Sequence, residues 1–212
     1  MTRFPDNPTR ISAALLKRLD ADAPGTWLAQ PKYNGWRCVI WSPGSAPGAE
    51  QQWVYASKYK TGPRAKPPPK ELQKALEALF WPETAGPPPG CAFDAEWMGP
   101  RGGTPHFVLF DLVSFHEWLG NMPFQDRYDW LADLYEQATT GHSMGALDSL
   151  RRDPLVKLAP CWRNPGLHDR YLEQLQDPLS EGLVLRRADS KLIGSFDGPA
   201  DNPQWFKVKY KG

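Results

Sequence analysis

Apolar positions along the chain follow two spacings, one typical of helices and one typical of strands. Helical spacing recurs over residues 9–20, Lys70–Phe80, Phe124–Ala138 and Leu167–Gln176, which predicts four helices. Short apolar runs predict strands at Trp27–Ala29, Cys38–Trp41, Trp53–Ala56, Cys91–Met98, His106–Val113, Leu155–Leu158, Leu183–Arg187 and Trp205–Tyr210. Since strands and helices are mixed without a regular strand–helix–strand rhythm, we expect an α+β fold with mainly antiparallel sheets.

Length and charge narrow the classes of protein that this chain fits. It has 212 residues and no obvious inter-domain linker, so we expect a single domain over residues 1–212. The formal net charge is +1, so any signal for nucleic acid must be local, and Lys58–Lys74 holds six basic residues and one acidic residue. Three well-separated cysteines argue against a disulfide framework or a zinc site. With no membrane-length apolar run and no signal-peptide core, we expect a cytoplasmic protein.

One lysine has a position that suits nucleophilic chemistry. Lys32 precedes Asn34-Gly35, a dipeptide typical of hairpin turns, and strands are predicted on both sides, at Trp27–Ala29 and Cys38–Trp41. We therefore expect a rigid hairpin that carries Lys32. A lysine partly removed from water loses its proton more readily and becomes a nucleophile. The alternative interpretation is an ordinary surface lysine beside a hairpin.

Two acids and one aromatic ring lie in predicted strands where they have a chemical use. Asp94 and Glu96 are two residues apart, so on a strand they share one face. Two carboxylates on one face repel unless a cation or hydrogen-bond donors stand opposite, which favours Mg²⁺ or sugar hydroxyls. Phe110 lies in a nearly apolar strand and offers a ring on which a base could stack. The alternatives are a solvated strand face for the acids and plain core packing for Phe110.

Two further stretches combine charged residues with predicted strands. Glu181 and Gly182 precede an apolar strand, where glycine permits close approach of a ligand and the acid can hold a metal. Lys207 and Lys209 share one strand face and form a site for an anion such as phosphate. The alternatives are a simple turn before a strand and a charged edge strand that prevents aggregation.

These stretches follow the order seen in covalent nucleotidyltransferases, and the chain resembles the adenylation domain of ATP-dependent DNA ligases. The resemblance spans about residues 27–210, and it implies an ATP-grasp-like α+β domain with a nucleotide cleft between sheets. Each motif is short, so the weight lies in their shared order and spacing. The matching motifs are Lys32-Tyr33-Asn34-Gly35-Trp36-Arg37, Phe93-Asp94-Ala95-Glu96, Phe110-Asp111-Leu112, Pro123-Phe124-Gln125-Asp126-Arg127, Glu181-Gly182-Leu183-Val184-Leu185-Arg186 and Lys207-Val208-Lys209.

The resemblance implies that these residues bind ATP together with Mg²⁺ or Mn²⁺. Lys32 would accept AMP, Gln30 would read the edge of adenine, and Phe110 would stack on the base. Arg37 would bind the ribose or the 5′-phosphate of a nick, and Lys207 and Lys209 would bind the α-phosphate. Glu96 would bind the ribose or the metal, and Asp94 and Glu181 would bind the metal.

The resemblance also implies nicked duplex DNA as the partner of a monomeric enzyme. The DNA-contacting residues would be Arg37, Lys58, Lys60, Arg64 and Lys66. The chain departs from the family at Asn34, where an acid is usual, and at Ala95, where glycine is common. Because the sequence ends at Gly212, just after the lysine pair, we expect the C-terminal OB-fold of the family to be absent. We therefore expect a minimal one-domain ligase, an enzyme with a separate clamp or OB-fold partner, or an adenylation fragment.

The implied reaction is the sealing of nicks, in which AMP passes from Lys32 to a 5′-phosphate and is then displaced by a 3′-hydroxyl. Three alternatives stay open. RNA ligases and capping guanylyltransferases share the motifs, although Phe110-Asp111-Leu112 followed by Arg127 favours DNA. The third is a catalytically impaired module that binds nicks or ends, which Asn34 and the missing OB-fold favour.

Overall fold

The computed structural model describes residues 5–42, 54–57, 69–80, 90–99, 104–140, 155–194 and 199–210. Its helices are α1 Ala13–Asp20, α2 Lys70–Phe80, α3 Phe124–Thr140 and α4 Leu167–Gln174. Its strands are β1 Asn7–Arg10, β2 Trp27–Tyr33, β3 Trp36–Trp41, β4 Val54–Ser57, β5 Ala92–Trp97, β6 Phe107–Phe115, β7 Glu117–Trp118, β8 Val156–Leu158, β9 Trp162–Arg163, β10 Ser180–Arg187 and β11 Asp201–Lys209. No helix in these ranges is long and apolar enough to cross a membrane.

The strands form two sheets. One sheet has the order β1-β11-β10-β2-β9, and the other has the order β4-β3-β5-β6-β7 with β8 alongside β6. Within the described ranges, parallel pairing is confined to β1 with β11 and β8 with β6, and the other paired strands run antiparallel. The prediction of an α+β fold with mainly antiparallel sheets is confirmed.

Each sheet buries one face under helices and turns the other face toward the second sheet. In β2, Ala29 packs in a cluster with α1 and α4, whereas Leu28 lies on the opposite face. In β3, Ile40 packs in a cluster with α2 and α3, whereas Val39 packs with Trp205 of the other sheet. The two inner faces therefore meet, and the cleft expected from the sequence lies between them.

The predicted hairpin around Lys32 is wrong. Strand β2 pairs with β10 and β9, whereas β3 pairs with β4 and β5, so Asn34-Gly35 carries the chain from one sheet to the other. Gly35 is required for close approach instead, because a Cβ there would lie 2.6 Å from the carbonyl oxygen of Trp97 and 2.7 Å from Cγ of Glu96. The turn therefore holds Lys32 and Glu96 on two walls of one cleft.

The first helix is shorter than predicted. It begins at Ala13 rather than at residue 9, and the Ser12 hydroxyl caps it by accepting a hydrogen bond from the backbone N–H of Leu15. The preceding residues form β1, which pairs in parallel with β11. Strand β1 thereby lies beside the strand that carries Lys207 and Lys209.

Candidate active site

The cleft is built from matching rows of side chains on three neighbouring strands. Val184 of β10 lies opposite Gln30 of β2 on one side and opposite Lys207 of β11 on the other. Lys32 and Lys209 lie two residues further along the same strand faces. The cavity has a volume of about 370 Å³. The sheet register therefore brings Gln30 and three lysines from distant parts of the sequence into one site.

Glu181 joins two of these lysines. Its Oε2 lies 2.5 Å from Nζ of Lys32 and 2.9 Å from Nζ of Lys209. Burial favours the neutral acid, but the hydrogen bonds and positive charges of the two lysines outweigh it and lower the pKa of Glu181. Gly182 must be glycine, because its φ is +143° and a Cβ would lie 1.9 Å from the carbonyl oxygen of Val208.

The cleft carries more positive than negative charge on this wall. Partial burial, followed by the nearby charges of Lys32, Lys209 and Arg37, lowers the pKa of Lys207. Glu181 pairs with Lys32 and Lys209, and Lys207 lies near both of these lysines, so an added anion would reduce the repulsion among the three. This arrangement suits the phosphate groups of a bound nucleotide.

Glu96 faces these cations from the second sheet. Its side chain is 8% exposed and accepts a hydrogen bond of 3.0 Å from the backbone N–H of Gly35. Burial raises the pKa of Glu96 to about 7, although the charges of Lys32 and Arg37 act in the opposite direction. This carboxyl group therefore changes charge near neutral pH.

Arg37 is held in place by Asp94 of β5 and by Asp6, which directly precedes β1. Its Nε and Nη2 donate to the two carboxylate oxygens of Asp94 at 2.9 and 2.7 Å, and its Nη1 donates to the backbone carbonyl of Asp6 at 2.7 Å. Asp94 is fully buried and lies within 3.4 Å of Arg186 as well. Because guanidinium groups occupy both oxygens of Asp94, the geometry favours a positioning role over the metal-ligand role expected from the sequence.

One end of the cleft is lined by the apolar side chains of Phe110 and Val184 and by the amide of Gln30. Phe110 is 8% exposed, and its ring stacks with Tyr33 at a centroid distance of 6.1 Å. The amide of Gln30 donates to the backbone carbonyl of Phe110 at 3.0 Å and accepts from Nη1 of Arg186 at 2.6 Å. A flat heterocycle could stack at this end while its edge meets Gln30.

Two carboxylates in the cleft fit a divalent metal. Mg²⁺ in proteins is commonly held by one or two carboxylates together with phosphate oxygens of the substrate and water. Glu96 and Glu181 both line the cleft beside the lysines that suit phosphate. In the part of the chain that the structure describes, no three His, Cys, Asp or Glu side chains gather around one point. A metal here would therefore share its coordination with the phosphate groups.

The structure brings eight of the predicted site residues into this cleft: Gln30, Lys32, Arg37, Glu96, Phe110, Glu181, Lys207 and Lys209. Asp94 lies behind it. The four remaining residues, Lys58, Lys60, Arg64 and Lys66, lie outside the described ranges. Sequence reasoning assigned no role to Asp6 or Arg186, although both contact site residues. Arg186 is the last residue of one of the matching motifs, and this was the only sequence feature that indicated a role for it.

A buried ion pair supports the second sheet near the cleft. Arg127 at the start of α3 donates from Nε and Nη2 to both oxygens of Asp111 at 2.9 and 2.8 Å, and neither side chain is exposed. Nη1 of Arg127 donates to the backbone carbonyl of Met122. The pair fixes α3 against β6, the strand that carries Phe110.

Comparison with known proteins identifies the fold. The chain matches no protein-family model and no curated protein. Among solved structures it is similar to a Lig E DNA ligase, with a TM-score of 0.56, 12% identity, and coverage of 99% of this chain and 69% of that chain. It is also similar to mycobacterial DNA ligase D complexed with ATP, with a TM-score of 0.61, 15% identity, and coverage of 98% and 60%.

An archaeal ATP-dependent RNA ligase is similar as well, with a TM-score of 0.53, 15% identity, and coverage of 99% of this chain and 48% of that chain. The chain thus spans less than two thirds of the second and third of these structures. At such low identity, the likeness establishes a shared fold. The chain shares the fold of these DNA and RNA ligase structures, which confirms the α+β fold expected from the motifs.

Proposed function

We propose that this chain is an ATP-dependent polynucleotide ligase that seals nicks with a 5′-phosphate and a 3′-hydroxyl in duplex DNA. The observation that carries the proposal is the position of Lys32, whose Nζ lies 2.5 Å from Glu181 in a cleft that also holds Lys207, Lys209 and Phe110. A nucleophilic amine, an excess of cations and a stacking ring are what the transfer of a nucleoside monophosphate requires.

In the first step, the amine of Lys32 attacks the α-phosphorus of ATP. The ammonium of Lys32 first gives one proton to solvent and becomes the attacking amine. A nitrogen–phosphorus bond then forms, the bond to the bridging oxygen breaks, pyrophosphate leaves, and the nitrogen gives its extra proton to water. Lys207 and Lys209 bind the α-phosphate oxygens and stabilise the charge that develops there. Glu181 orients the amine through its hydrogen bond to Nζ.

The next two steps act on the nick. An oxygen of the 5′-phosphate attacks the phosphorus of AMP, and the bond to Lys32 breaks. The 3′-hydroxyl then attacks the 5′-phosphorus, which forms the phosphodiester bond and releases AMP. Arg37, fixed by Asp94 and by the carbonyl of Asp6, points a cation into the cleft where the 5′-phosphate would bind.

Mg²⁺ would be held by Glu96 and Glu181 together with phosphate oxygens, and it would supply charge neutralisation to the phosphate groups. The protein groups around it bind and orient the nucleotide. Gln30 and Phe110 receive the base, and the lysines of β11 receive the α-phosphate.

DNA is favoured over RNA by the stretch from Phe110 to Arg127, which resembles DNA ligases. The basic segment Lys58–Lys74 offers further charge for the phosphate backbone of a duplex. RNA ligation is the second candidate, because an archaeal RNA ligase shares the fold at similar coverage of this chain. Nicked duplexes with DNA or RNA strands on either side of the nick distinguish the two.

The mass of the purified protein after incubation with ATP and Mg²⁺ tests the proposal. We expect an increase of one adenylyl group, located on Lys32 by peptide mass, and loss of the adduct when a nicked duplex is added. A protein that seals no nick and gains no mass with ATP or GTP would contradict the proposal and favour a binding module.

A further inference from the structure

Both ends of the Gln30 side-chain amide are engaged by partners of fixed polarity. Its Nε2 donates to the backbone carbonyl of Phe110 at 3.0 Å, and its Oε1 accepts from Nη1 of Arg186 at 2.6 Å. A carbonyl oxygen only accepts, and a guanidinium group only donates. If the amide flipped, oxygen would face oxygen and N–H would face N–H, so one orientation is strongly favoured.

Arg186 cannot easily move away from Gln30. Its guanidinium lies between two aromatic rings, 4.2 Å from the centroid of Trp205 and 4.5 Å from that of Phe124. The side chain is buried, and its Nη2 lies 3.4 Å from Oδ2 of Asp94. Among the described residues, its Nε has no hydrogen-bond acceptor. Arg186 is therefore a rigid donor beneath the base-binding end of the cleft.

The contacts with Phe110 and Arg186 lock the Gln30 amide in one orientation. In this locked orientation, the amide keeps one free N–H and one free lone pair on its oxygen, in a fixed order. Adenine presents its N6 amino donor beside a ring-nitrogen acceptor, whereas guanine presents the O6 acceptor where adenine has N6. An amide free to rotate could adapt to either base. An amide locked with its oxygen toward N6 pairs with adenine and meets repulsion from O6 of guanine.

We propose that Arg186 is a positioning residue that sets nucleotide selectivity by locking the Gln30 amide in the orientation that accepts adenine. The inference rests on the proposed function, because it assumes a purine nucleotide in this cleft. It adds a residue that acts on the base through Gln30. Arg186 also links Gln30 to Asp94 and hence to Arg37, so one side chain holds both the base-binding and the phosphate-binding ends.

Noncovalent binding of AMP and of GMP provides the test, with Arg186→Met as the main variant. Methionine keeps the length of the side chain and removes the donor. We expect the preference for AMP over GMP to fall by roughly tenfold or more, and Arg186→Lys to restore part of it, because an ammonium still donates. The matched control is Arg187→Met, since the neighbouring Arg187 is exposed and pairs with Asp189; its preference should equal that of the parent.

Gln30→Glu provides a second variant that does not depend on the folding of Arg186→Met. A carboxylate still accepts from Arg186, but it cannot donate to the carbonyl of Phe110 and has no N–H for adenine, whereas the N1–H and N2–H₂ of guanine both donate to it. We expect the preference to shift toward GMP. In a Gln30→Ala background, Arg186→Met should leave the ratio unchanged, because Arg186 acts through Gln30.

An unchanged ratio of AMP to GMP affinity in folded Arg186→Met, or a Gln30→Glu protein that keeps the preference of the parent, would overturn the lock. Adduct formation with ATP and GTP is measured in parallel. A parent protein that forms no adduct on Lys32 would contradict the proposed function, while the binding ratios would still decide the role of Arg186.

Discussion

The structure contains two clusters of oppositely charged side chains, and the clusters differ in their exposure to solvent. In the first, Glu181 contacts Lys32 and Lys209, and the three side chains are between 22% and 32% exposed. In the second, Asp111 and Arg127 pair through two hydrogen bonds, and both are completely buried. The first group lines the cleft, and the second lies under its wall.

The two groups also differ in how completely their charges are matched. Asp111 and Arg127 satisfy each other, and Nη1 of Arg127 is taken by a backbone carbonyl. Glu181 serves two lysines, with Lys207 nearby, so the open group has surplus positive charge. A matched and buried pair contributes to structure, whereas an unmatched and accessible group can exchange its partner for a phosphate.

Replacement of Lys32 is the sharpest way to test that the open group is functional. Lys32→Arg keeps the positive charge beside Glu181, but arginine stays protonated and cannot attack phosphorus. We expect adduct formation to fall by at least about 10³-fold and the free energy of unfolding to change by less than about 1 kcal/mol. Intact mass and denaturant unfolding measure the two effects. An adduct that persists, or that maps to Lys58 or Lys207, would contradict the assignment.

Removal of Asp111 should have the largest effect on stability. Asp111→Ala leaves the guanidinium of Arg127 buried without its partner, and such a change typically costs about 3–5 kcal/mol. The control is Asp189→Ala, since Asp189 pairs with Arg187 on the surface, where a lost pair costs less than about 1 kcal/mol. Urea unfolding of both variants provides the measurement. Equal losses in the two variants would show that burial does not distinguish the pairs.

Sequence patterning predicted elements well where one face is apolar over several turns. Helix α2 has the predicted bounds, Lys70–Phe80, because Leu72 and Leu76 supply a buried stripe. The hairpin at Asn34-Gly35 failed, because a turn signal is local and cannot show that the next strand joins a different sheet. Strand β1 is four residues long and has no apolar alternation, so nothing in its pattern indicated pairing with β11.

The site could be predicted as a set of residue types but not as a network. Motif order pointed to seven of the eight residues that the structure brings into the cleft, and the position two residues before Lys32 pointed to Gln30. It could not show that Asp94 would be enclosed by Arg37 and Arg186, because these contacts join residues far apart in sequence. Asp6 was missed for the same reason: its carbonyl holds Arg37, while its carboxylate accepts from the backbone N–H groups of Ile193 and Gly194.

Glu96 and Glu181 should respond to pH in opposite directions, which sharpens the contrast between buried and accessible charge. Burial raises the pKa of Glu96 from 4.5 to about 7, so the folded state binds this proton more tightly than the unfolded state. The tighter binding of this proton stabilises the folded state. The stabilisation is fully present below pH 4.5 and is lost as the pH rises through about 7. Glu96→Gln keeps an acceptor for Gly35 and stays neutral.

We therefore expect Glu96→Gln to be more stable than the parent at pH 8, by as much as about 3 kcal/mol, with the difference vanishing near pH 4. Thermal unfolding at both pH values provides the measurement. A variant less stable than the parent at pH 8 would mean that the carboxylate of Glu96 is a structural partner of Lys32 or Arg37, and its role with ribose or metal would then be wrong.

Glu181→Gln should have the smallest effect on stability and a large effect on activity. The lysines lower the pKa of Glu181. The ionised side chain therefore stabilises the folded state above the ordinary pKa of 4.5, and this stabilisation is lost as the pH falls through the lowered pKa. The carboxylate is accessible and screened by salt, so the variant should lose less than about 1 kcal/mol of stability at pH 7, and less still in high salt.

Adduct formation should nevertheless fall strongly in Glu181→Gln, because the amide no longer carries the charge that orients Lys32 and attracts a metal. Unfolding at low and high salt, together with intact mass after incubation with ATP, measures both effects on one protein. A loss of several kcal/mol would place Glu181 with Asp111 among the structural acids and would remove the distinction between the two groups.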